Sequence, residues 1–549
     1  MISMITSSFS SFGISDIFYL FIIFIILYVS RYYYHYFTRI NPLPGPFPLP
    51  IVGNLHQRFG YEFNDWLMLL HKKFGDMFEI SLVGQRMIIL CNTDLIENMN
   101  VSSKKTKYPF RSLVTEGLRE YRIGTTGIIN NIDPKSWKYN RRFFTQAMMA
   151  PSFNNQAVEW ANELWTEMES YWNELGENHE LDLIKWMQRF SNEMIFKIST
   201  GVKNNCMASY YYHTFVLESN DLDEKEKEKI KESENFIQSI ETFMRGAFYF
   251  FYFNRFMRHY VPFIRGKVIS LLKNRDFLDG KVYKIIKERR IEIENTPLDQ
   301  PLRHDMLTLN VIANTPRDIN IVKHSIDADL LRPMTDKEIL GNILNAIGGG
   351  TDTVSNLFCF IIYHLVHHPE VVQRLRQEFD EVLGKDVTKP ITQNDIDKLQ
   401  YCDAVIKEVH RHFPVNYSLG RVNIEKDTVG GYIWPEKTSF SILYCAIMKR
   451  KDYWTDPEKF DPDRFYKIDD DDKYLLEKQH VKNAFAMFGG GIRACPGRNL
   501  TMIELKCLLT LIYRKYDIEL ADPNAPLNYS STLLSVCKEL LVKVKPRNF

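Results

Sequence analysis

The sequence feature that constrains this chain most is a glycine-rich stretch near its C-terminal end, residues 488–497, which reads FGGGIRACPG. Consecutive glycines let a backbone turn sharply and approach a flat object closely. Pro496 suits the first turn of a helix, because its missing N–H costs little there. The loop therefore predicts that Cys495 lies at a helix N-terminus, where the helix dipole favours a thiolate that could hold a metal. Taken alone, the stretch fits a buried structural cysteine better.

Composition narrows the class of protein. The 549 residues are 45% hydrophobic and 13% aromatic, which is enough for a large core, in one large domain or several. The 69 basic and 68 acidic residues leave a net charge of +1, which argues against a nucleic-acid binder. The eight cysteines form no CxxC pair, so the sequence predicts neither a zinc site nor a disulfide framework, and it fits a reducing compartment.

An apolar, uncharged segment at residues 17–30 predicts a membrane helix. Spanning a bilayer takes about 20 mostly apolar residues, and the flanking residues supply the missing length. A cleaved signal peptide would need a small-residue cleavage site, whereas this segment runs into Arg31 and several tyrosines. Those tyrosines are typical of an interfacial belt, and Arg31 and Arg39 place that end in the cytosol. We therefore expect an uncleaved anchor at residues 1–40.

The next ten residues, NPLPGPFPLP, contain too many prolines for a regular helix. They predict a stiff, extended linker that would hold the globular part at a fixed attitude to the membrane. We expect the globular domain to cover residues 41–549.

Hydrophobic periodicity and end signals predict most of the remaining elements. The expected elements are a helix from about residue 61, a hairpin of strands 77–80 and 87–90, helices 156–172, 181–199, 403–412 and 500–513, a helix beginning at Asp133-Pro134, and strands within 516–544. The charged run 221–234 fits a solvated loop or exposed helix. The aromatic residues at 248–260 fit a cavity lining, a bilayer contact or ordinary core packing, and the sequence does not separate these.

The longest helix is expected from the capping box at Thr335 to His368, just before a proline. Three glycines at 348–350 interrupt it, at a cost of about 1 kcal/mol each. Such a cost suggests that something flat or bulky approaches the backbone there. Thr353 could open the local hydrogen-bond ladder and Asp352 could supply protons, although a simple kink also explains the glycines.

Two residue pairs have ordinary explanations when taken singly. Glu408 and Arg411 are three residues apart on a helix, which is the spacing of a surface salt bridge worth a few tenths of a kcal/mol. Trp137 and Arg141 share a helix face, as a core tryptophan and a solvated arginine would.

The order and spacing of these stretches resemble one family, the cytochrome P450 haem-thiolate monooxygenases. Residues 488–497 match its haem-binding signature FxxGxRxCxG, which is the most specific of the matches. The other stretches resemble its ExxR (408–411), PxxFxPxRF (457–465), (A/G)Gx(D/E)T(T/S) (349–354), WxxxR (137–141) and proline-rich hinge (43–46). The resemblance covers essentially the whole chain; Val354, where the family often has a second hydroxyl residue, is a minor departure.

The resemblance implies roles for the matching residues. Cys495 would be the axial thiolate on the iron of haem b, which favours O–O cleavage. The haem propionates would contact Arg493, Arg421, Trp137 and Arg141; the guanidinium groups of the three arginines suit carboxylates. Phe488, Gly497 and Gly349 would complete the haem pocket. Glu408, Arg411 and Arg464 would form a buried structural triad. Thr353 and Asp352 would guide protons to bound oxygen.

The fold implied is mainly α with smaller β-sheets, preceded by one transmembrane helix. The activity implied is insertion of one oxygen atom from O₂ into an apolar lipid, sterol, terpenoid or xenobiotic-like substrate at the endoplasmic reticulum membrane. Electrons would come from NADPH through NADPH–cytochrome P450 reductase, with cytochrome b5 as an optional donor, because the sequence has no GxGxxG fingerprint. Segments expected to line the pocket are 111–130, 244–260, 344–353, 415–419 and 530–534.

Two alternatives remain. A haem-thiolate isomerase or dehydratase acting on a peroxide would need neither O₂ nor a reductase, and the presence of Asp352 and Thr353 speaks against it. A non-catalytic haem-binding membrane protein would make no use of an apolar cavity or of Thr353.

Overall fold

A computed structural model describes residues 13–103, 106–148, 151–216, 223–318, 331–466 and 483–547 of the chain. The helices lie mostly in the middle of the chain and the strands near its ends. The helices are α1 (Ile14–Phe37), α2 (Phe63–Phe74), α3 (Glu116–Glu120), α4 (Pro134–Met148), α5 (Pro151–Leu175), α6 (Leu183–Thr200), α7 (Cys206–Tyr211), α8 (Glu224–Tyr252), α9 (Arg255–Tyr260), α10 (Pro262–Asn295), α11 (Met306–Ile312), α12 (Asp336–Gly350), α13 (Asp352–Val366), α14 (Pro369–Leu383), α15 (Gln393–Lys398), α16 (Gln400–His412), α17 (Tyr444–Ile447) and α18 (Arg498–Lys515).

The strands form small sheets, and they are β1 (Met77–Leu82), β2 (Gln85–Leu90), β3 (Leu181–Asp182), β4 (Ser418–Val422), β5 (Asp427–Val429), β6 (Tyr432–Trp434), β7 (Ser439–Leu443), β8 (Tyr516–Leu520), β9 (Asn528–Ser531), β10 (Ser535–Glu539) and β11 (Leu541–Pro546). The largest sheet has the order β1-β2-β7-β4. Strands β1 and β2 make the predicted hairpin, with Ile80 opposite Met87, and Val83 and Gly84 in the turn have positive φ. The fold is therefore mainly α with smaller sheets, as expected.

Helix α1 is long and apolar enough to cross a membrane, and its apolar window is not buried against the rest of the protein. It fits a membrane anchor. Residues 1–12 of the expected anchor lie outside the described residues. At its C-terminal end the Tyr33 ring stacks on Phe47 of the proline-rich segment, with centroids 5.3 Å apart. The Tyr33 hydroxyl also donates to the carbonyl of Pro48 at 3.4 Å.

The core is centred on α6, α13 and α18: α13 packs against both α6 and α18, and α5 packs against α18. Phe358, Ile361 and Ile362 of α13 have no exposed surface. A helix that is apolar nearly all round belongs in the interior of a large domain. These helices form a rigid frame for the residues at their ends.

The prediction of one long helix from Thr335 to His368 was wrong. The capping box at Thr335 is present, but α12 ends at Gly350 and α13 begins at Asp352. The Thr351 hydroxyl donates to the carbonyl of Ile347 and accepts a hydrogen bond from Asn192 of α6. The Thr351 amide also donates to the Ile347 carbonyl at 3.1 Å, and the Ser355 amide donates to the Thr351 carbonyl at 3.3 Å, so the two helices meet in a kink at Thr351.

Among the described residues the longest helix is α10, with 34 residues, which the sequence patterns did not indicate. Another difference concerns Pro496, which lies outside the first turn because α18 begins at Arg498 with Gly497 as its N-cap. The charged run 221–234 is confirmed as the mostly exposed start of α8, although Glu234 is buried against Arg189 and residues 221–222 lie outside the described residues.

Candidate functional site

The cysteine loop is folded by its glycines and held by two arginines. Gly489 and Gly491 have positive φ, which glycine adopts without strain. The amide of Cys495 donates to the carbonyl of Phe488 at 2.8 Å. Arg111 donates to the carbonyl of Arg493 at 2.8 Å, and Arg141 to that of Ala494 at 2.6 Å. Because these bonds surround Cys495, they fix the backbone that carries its sulfur.

Cys495 differs from the other cysteines in its exposure. The other seven are buried, whereas Cys495 is partly exposed and lines a large cavity. A Cβ built on Gly497 would lie 3.9 Å from the Cys495 sulfur, so any longer side chain there would crowd it. Phe488 lines the same cavity. The loop sequence taken alone did not separate a structural cysteine from a ligand, and exposure of the sulfur to the cavity is what a ligand would need.

Four arginines line the cavity near this loop: Arg421 and Arg493 are buried, and Arg111 and Arg141 are partly buried. Burial and, to a smaller extent, repulsion from the other three arginines lower the pKa of Arg493 to about 8. Burial likewise lowers the pKa of Arg421 to about 10. Arg493 Nη1 and Arg111 Nε are buried without a hydrogen-bond partner among the described residues. Such a cluster requires anions, because buried cations without counter-ions are costly.

Arg111 was not singled out by sequence analysis, which used it only as the start of a pocket-lining segment. No motif surrounds it. Its role becomes visible only when the fold brings it to Arg493, 382 residues further along the chain.

The position of Trp137 differs from the one expected of a residue that contacts a haem propionate. Its indole N–H donates to the carbonyl of Ile128 at 3.1 Å, and the guanidinium of Arg493 lies 4.6 Å from its ring centroid. Trp137 is not among the residues that line the cavity. In this structure it supports Arg493, and direct contact with a propionate stays a prediction.

The glycines of α12 line the opposite wall. A Cβ on Gly348 would come 2.9 Å from the sulfur of Met244, and one on Gly350 would come 2.7 Å from Ile195. A Cβ on Gly349 would meet nothing within 4 Å, because this glycine faces the cavity. Protein packing therefore explains two of the three glycines, and the third leaves room for a bound group.

Thr353 and Asp352 follow these glycines at the start of α13, and both line the cavity. The Thr353 hydroxyl donates to the carbonyl of Gly349 at 2.7 Å. Burial raises the pKa of Asp352 to about 6, and the negative charge of Glu241 adds to this effect. Arg245 and a hydrogen bond with Gln188 oppose it. Asp352 can therefore gain and lose a proton near neutral pH.

The cavity has a volume of about 1360 Å³. Small-molecule sites usually span about 300–1,000 Å³, so this cavity can hold a large cofactor together with a substrate. Residues from all five segments expected to line the pocket lie on its wall. The aromatic residues of stretch 248–260 lie in different environments. Phe248 and Tyr249 line the cavity, Phe250 is fully buried against Tyr121, and Phe256 is 67% exposed.

The Glu408–Arg411 pair is not a surface salt bridge. Both side chains have no exposed area, and Arg411 makes two hydrogen bonds to the carboxylate at 2.7 and 2.9 Å. Arg464 approaches the same carboxylate at 3.3 Å and is equally buried. Arg411 also donates to the carbonyls of Met448, Pro457 and Lys459, so the triad joins α16 to the irregular segment after α17.

The residues present fit a haem. The arginine cluster requires a paired anion such as two propionates, Gly349 leaves open space, and Cys495 offers a sulfur to the same cavity. Thiolate is a known axial ligand of haem iron. Among the described residues there is no His, Cys, Asp and Glu cluster that would hold a metal ion directly.

Comparisons with known proteins agree with this geometry. Residues 43–546 match the profile of the family described as "Cytochrome P450". The chain is 26% identical to human "Cytochrome P450 3A7", with 92% of each chain covered, and 24% identical to "Trans-cinnamate 4-monooxygenase C4H2" of Petunia hybrida, covering 92% and 93%. It is also 24% identical to a "Self-sufficient cytochrome P450 monooxygenase" of Oidiodendron maius, where it covers 92% of itself but 42% of that longer protein. The chain therefore belongs to the cytochrome P450 family of monooxygenases, whose haem iron is bound by a cysteine thiolate.

Proposed function

We propose that this protein is a membrane-anchored monooxygenase that inserts one oxygen atom from O₂ into an apolar substrate, with Cys495 as the haem ligand. The observation that carries the proposal is a single cavity. Cys495, the arginine cluster, and the Thr353–Asp352 pair all line it, next to apolar side chains. When bound, the haem supplies the thiolate-ligated iron at which O₂ is activated.

The arginines hold and orient the cofactor in this proposal. Arg111, Arg141, Arg421 and Arg493 would receive the propionates, and each charge-assisted bond also removes part of the mutual repulsion among the guanidinium groups. Phe488, Gly497 and Gly349 would border the haem faces. The Glu408–Arg411–Arg464 triad keeps the surrounding segments in place without touching the cofactor.

Asp352 and Thr353 move protons. Gln188 hydrogen-bonds Asp352, and Glu241 and Arg245 of α8 lie near enough to influence its charge. Since Glu241 is 43% and Arg245 79% exposed, Asp352 has a short polar connection to solvent. Protons would enter there, rest on Asp352, and reach the substrate cavity through the hydroxyl of Thr353.

The electrons would come from NADPH through a separate NADPH–cytochrome P450 reductase, with cytochrome b5 as an optional donor. The sequence contains no GxGxxG fingerprint for a nicotinamide or flavin nucleotide. The self-sufficient relative is longer than this chain, which spans 42% of its length.

The anchor would cross the endoplasmic reticulum membrane once, with the catalytic domain in the cytosol. Its stacking on Phe47 and the pairing of Arg39 with the buried Glu79 fasten it to the domain. Phe256, Tyr260 and Phe263, at α9 and the start of α10, are 67%, 71% and 93% exposed. We include these rings in the membrane-facing surface, since large aromatic side chains are costly in water.

The test is the difference spectrum of the reduced protein with carbon monoxide. The wild type should show the Soret band of a thiolate ligand, and Cys495→Ala should remove it. Cys507→Ala, a buried cysteine on α18 outside the cavity, is the matched control and should keep the band. A histidine-type band in the wild type, or an unchanged band in Cys495→Ala, would contradict the assignment.

A further inference from the structure

The cavity is elongated along one face of α12. The cavity-lining residues of this helix include Ala346 and Gly350 at its glycine end, and the rest of them are Lys337, Leu340, Gly341, Leu344, Asn345, Gly348 and Gly349. Ala346 and Gly350 apart, these positions repeat every three or four residues, so the lining follows one face of the helix. Lys337 and Gly349 are twelve residues apart on the helix, which corresponds to about 18 Å at 1.5 Å per residue. The cavity therefore reaches about 18 Å from the glycine end.

The end remote from Gly349 is charged. Arg122, Arg275 and Asp279 line the cavity there, together with Tyr283 and Lys337. Arg122 pairs with Asp279, and Arg275 pairs with Asp276. Asp279 is only 4% exposed and Arg275 only 8%, whereas the Arg122 side chain is 49% and Tyr283 37% exposed and Lys337 is exposed as well. This end of the cavity therefore has a buried charged base and opens to solvent.

One positive charge at this end has no counter-ion. Asp276 and Asp279 are paired with the two arginines, and the neighbouring Asp336 is paired with Arg290 at 2.6 Å. Within the described part of the chain, Lys337 has no ion pair and the Tyr283 hydroxyl has no hydrogen bond. Because the carboxylates are already satisfied, the group that best complements this end is an anion, which would bind Lys337, Arg122 and Tyr283.

The wall between the two ends is apolar. Leu340, Leu344, Ile123 and Phe243 line it. An elongated apolar tunnel with a positive end suits a flexible aliphatic chain that carries one anion. A compact polycyclic molecule would leave either the charged end or the space beside Gly349 unfilled.

We propose that the substrate is a long-chain aliphatic carboxylate that lies along α12, with its head on Lys337, Arg122 and Tyr283 and its tail at Gly349 and Thr353. This inference rests on the proposed function, because it assumes that oxidation occurs at the glycine end. Oxygen should therefore enter the tail half of the chain, far from the carboxylate. Water and protons would enter the cavity through the opening near Glu241 and Arg245.

The test uses the holoenzyme and the iron spin-state shift, with tetradecanoic acid, its methyl ester and tetradecyl phosphate as probes. The acid should bind about tenfold more tightly than the ester, as expected for one charge-assisted contact. Lys337→Met should remove that preference and leave ester binding unchanged. Lys284→Met, on α10 but outside the cavity lining, should behave as the wild type.

Equal binding of acid and ester, or an equal loss of both in Lys337→Met, would overturn the proposal. Tighter binding of tetradecyl phosphate than of the acid would overturn the carboxylate head. A thiolate-type carbon monoxide spectrum with no shift by any acid would refute the substrate class and leave the monooxygenase intact. Loss of that spectrum would refute the proposed function itself.

Discussion

The hydroxyl of Thr353 donates to the carbonyl oxygen of Gly349 at 2.7 Å, one helical turn upstream and across the break between α12 and α13. This bond fixes the Thr353 oxygen beside the one glycine of the triplet at which an added Cβ would meet open space. The oxygen can still accept a hydrogen bond on its cavity side. The threonine is therefore held in position to pass a proton on.

Thr353→Ala should uncouple the enzyme. Without the hydroxyl, protons no longer reach oxygen in the cavity, so product formed per NADPH should fall at least about tenfold while hydrogen peroxide release rises. Product and peroxide measured together in a reconstituted system check this. Thr353→Ser should retain most of the coupling, and Thr353→Val should resemble Ala. Coupling in Val equal to the wild type would contradict a role for the hydroxyl.

Asp352→Asn should slow turnover about 100-fold, because Asn cannot transfer a proton. Since burial raises the pKa of Asp352 to about 6, the wild-type pH profile of kcat should bend near that pH. The variant should lose the bend. Asp397→Asn, an exposed carboxylate that does not line the cavity, is the control and should keep it. Identical profiles for wild type and Asp352→Asn would show that another group titrates.

Local signals in the sequence predicted local structure well. The Thr335 capping box and the 77–90 hairpin depend only on residues a few positions apart, and both are present. Helix α10 was missed because three positions of its buried stripe carry charges, at Arg275, Asp279 and Arg289. These side chains are buried because distant residues pair with them, which periodicity cannot reveal.

The same limit applies to the candidate site, because contacts between residues distant in the chain cannot be predicted from local patterns. The spacing of Glu408 and Arg411 is identical in a surface pair and in a buried triad, and only the approach of Arg464 distinguishes the two. Resemblance to a family supplied that role in advance, whereas Arg111, outside any motif, had no such signal. The hydrogen bond from Asn192 of α6 to the Thr351 hydroxyl, at the division between α12 and α13, likewise joins distant residues and could not be predicted from the sequence.

Glu408→Gln should destabilise the protein strongly. It removes the shared counter-ion of Arg411 and Arg464, neither of which has exposed area, so the free energy of unfolding should fall by about 3–5 kcal/mol. The yield of haem-loaded protein and the unfolding transition are the measurements. Glu425→Gln, at an exposed ion pair with Lys107, should cost at most about 1 kcal/mol. If the free energy of unfolding falls by a similar amount in both variants, the buried triad stabilises the protein no more than an exposed ion pair does.

Acidification should destabilise the protein through buried histidines. Burial lowers the pKa of His364 and His410 to about 3, and that of His412 to about 4, from 6.5. Below pH 6.5 these histidines therefore bind protons in the unfolded chain but not in the native state. The free energy of unfolding falls as the pH drops. Each histidine contributes a slope of up to about 1.4 kcal/mol per pH unit.

Denaturant unfolding at a series of pH values below neutrality measures this slope. His410→Met should reduce it, because one proton-binding site is lost from the unfolded state. The raised pKa values of Asp352 (about 6) and Glu504 (about 7) act in the opposite direction, so the observed slope should be smaller than the histidines alone give. A slope unchanged in His410→Met would show that this histidine is not held neutral by burial.

Arg111→Leu should weaken haem retention. Arg111 has a buried Nε without a partner, and its Nη2 supports the carbonyl of Arg493 in the cysteine loop. Removing it eliminates one charge-assisted contact to the cofactor, so the rate of haem transfer to an acceptor apoprotein should rise about tenfold or more. Arg142→Leu, one residue beyond Arg141 on α4 but absent from the cavity lining, should leave the rate unchanged.

Because loss of Arg111 also relieves repulsion on Arg493, the Arg111→Leu protein should remain folded in thermal unfolding experiments. An unaltered transfer rate would mean that Arg111 only buttresses the loop.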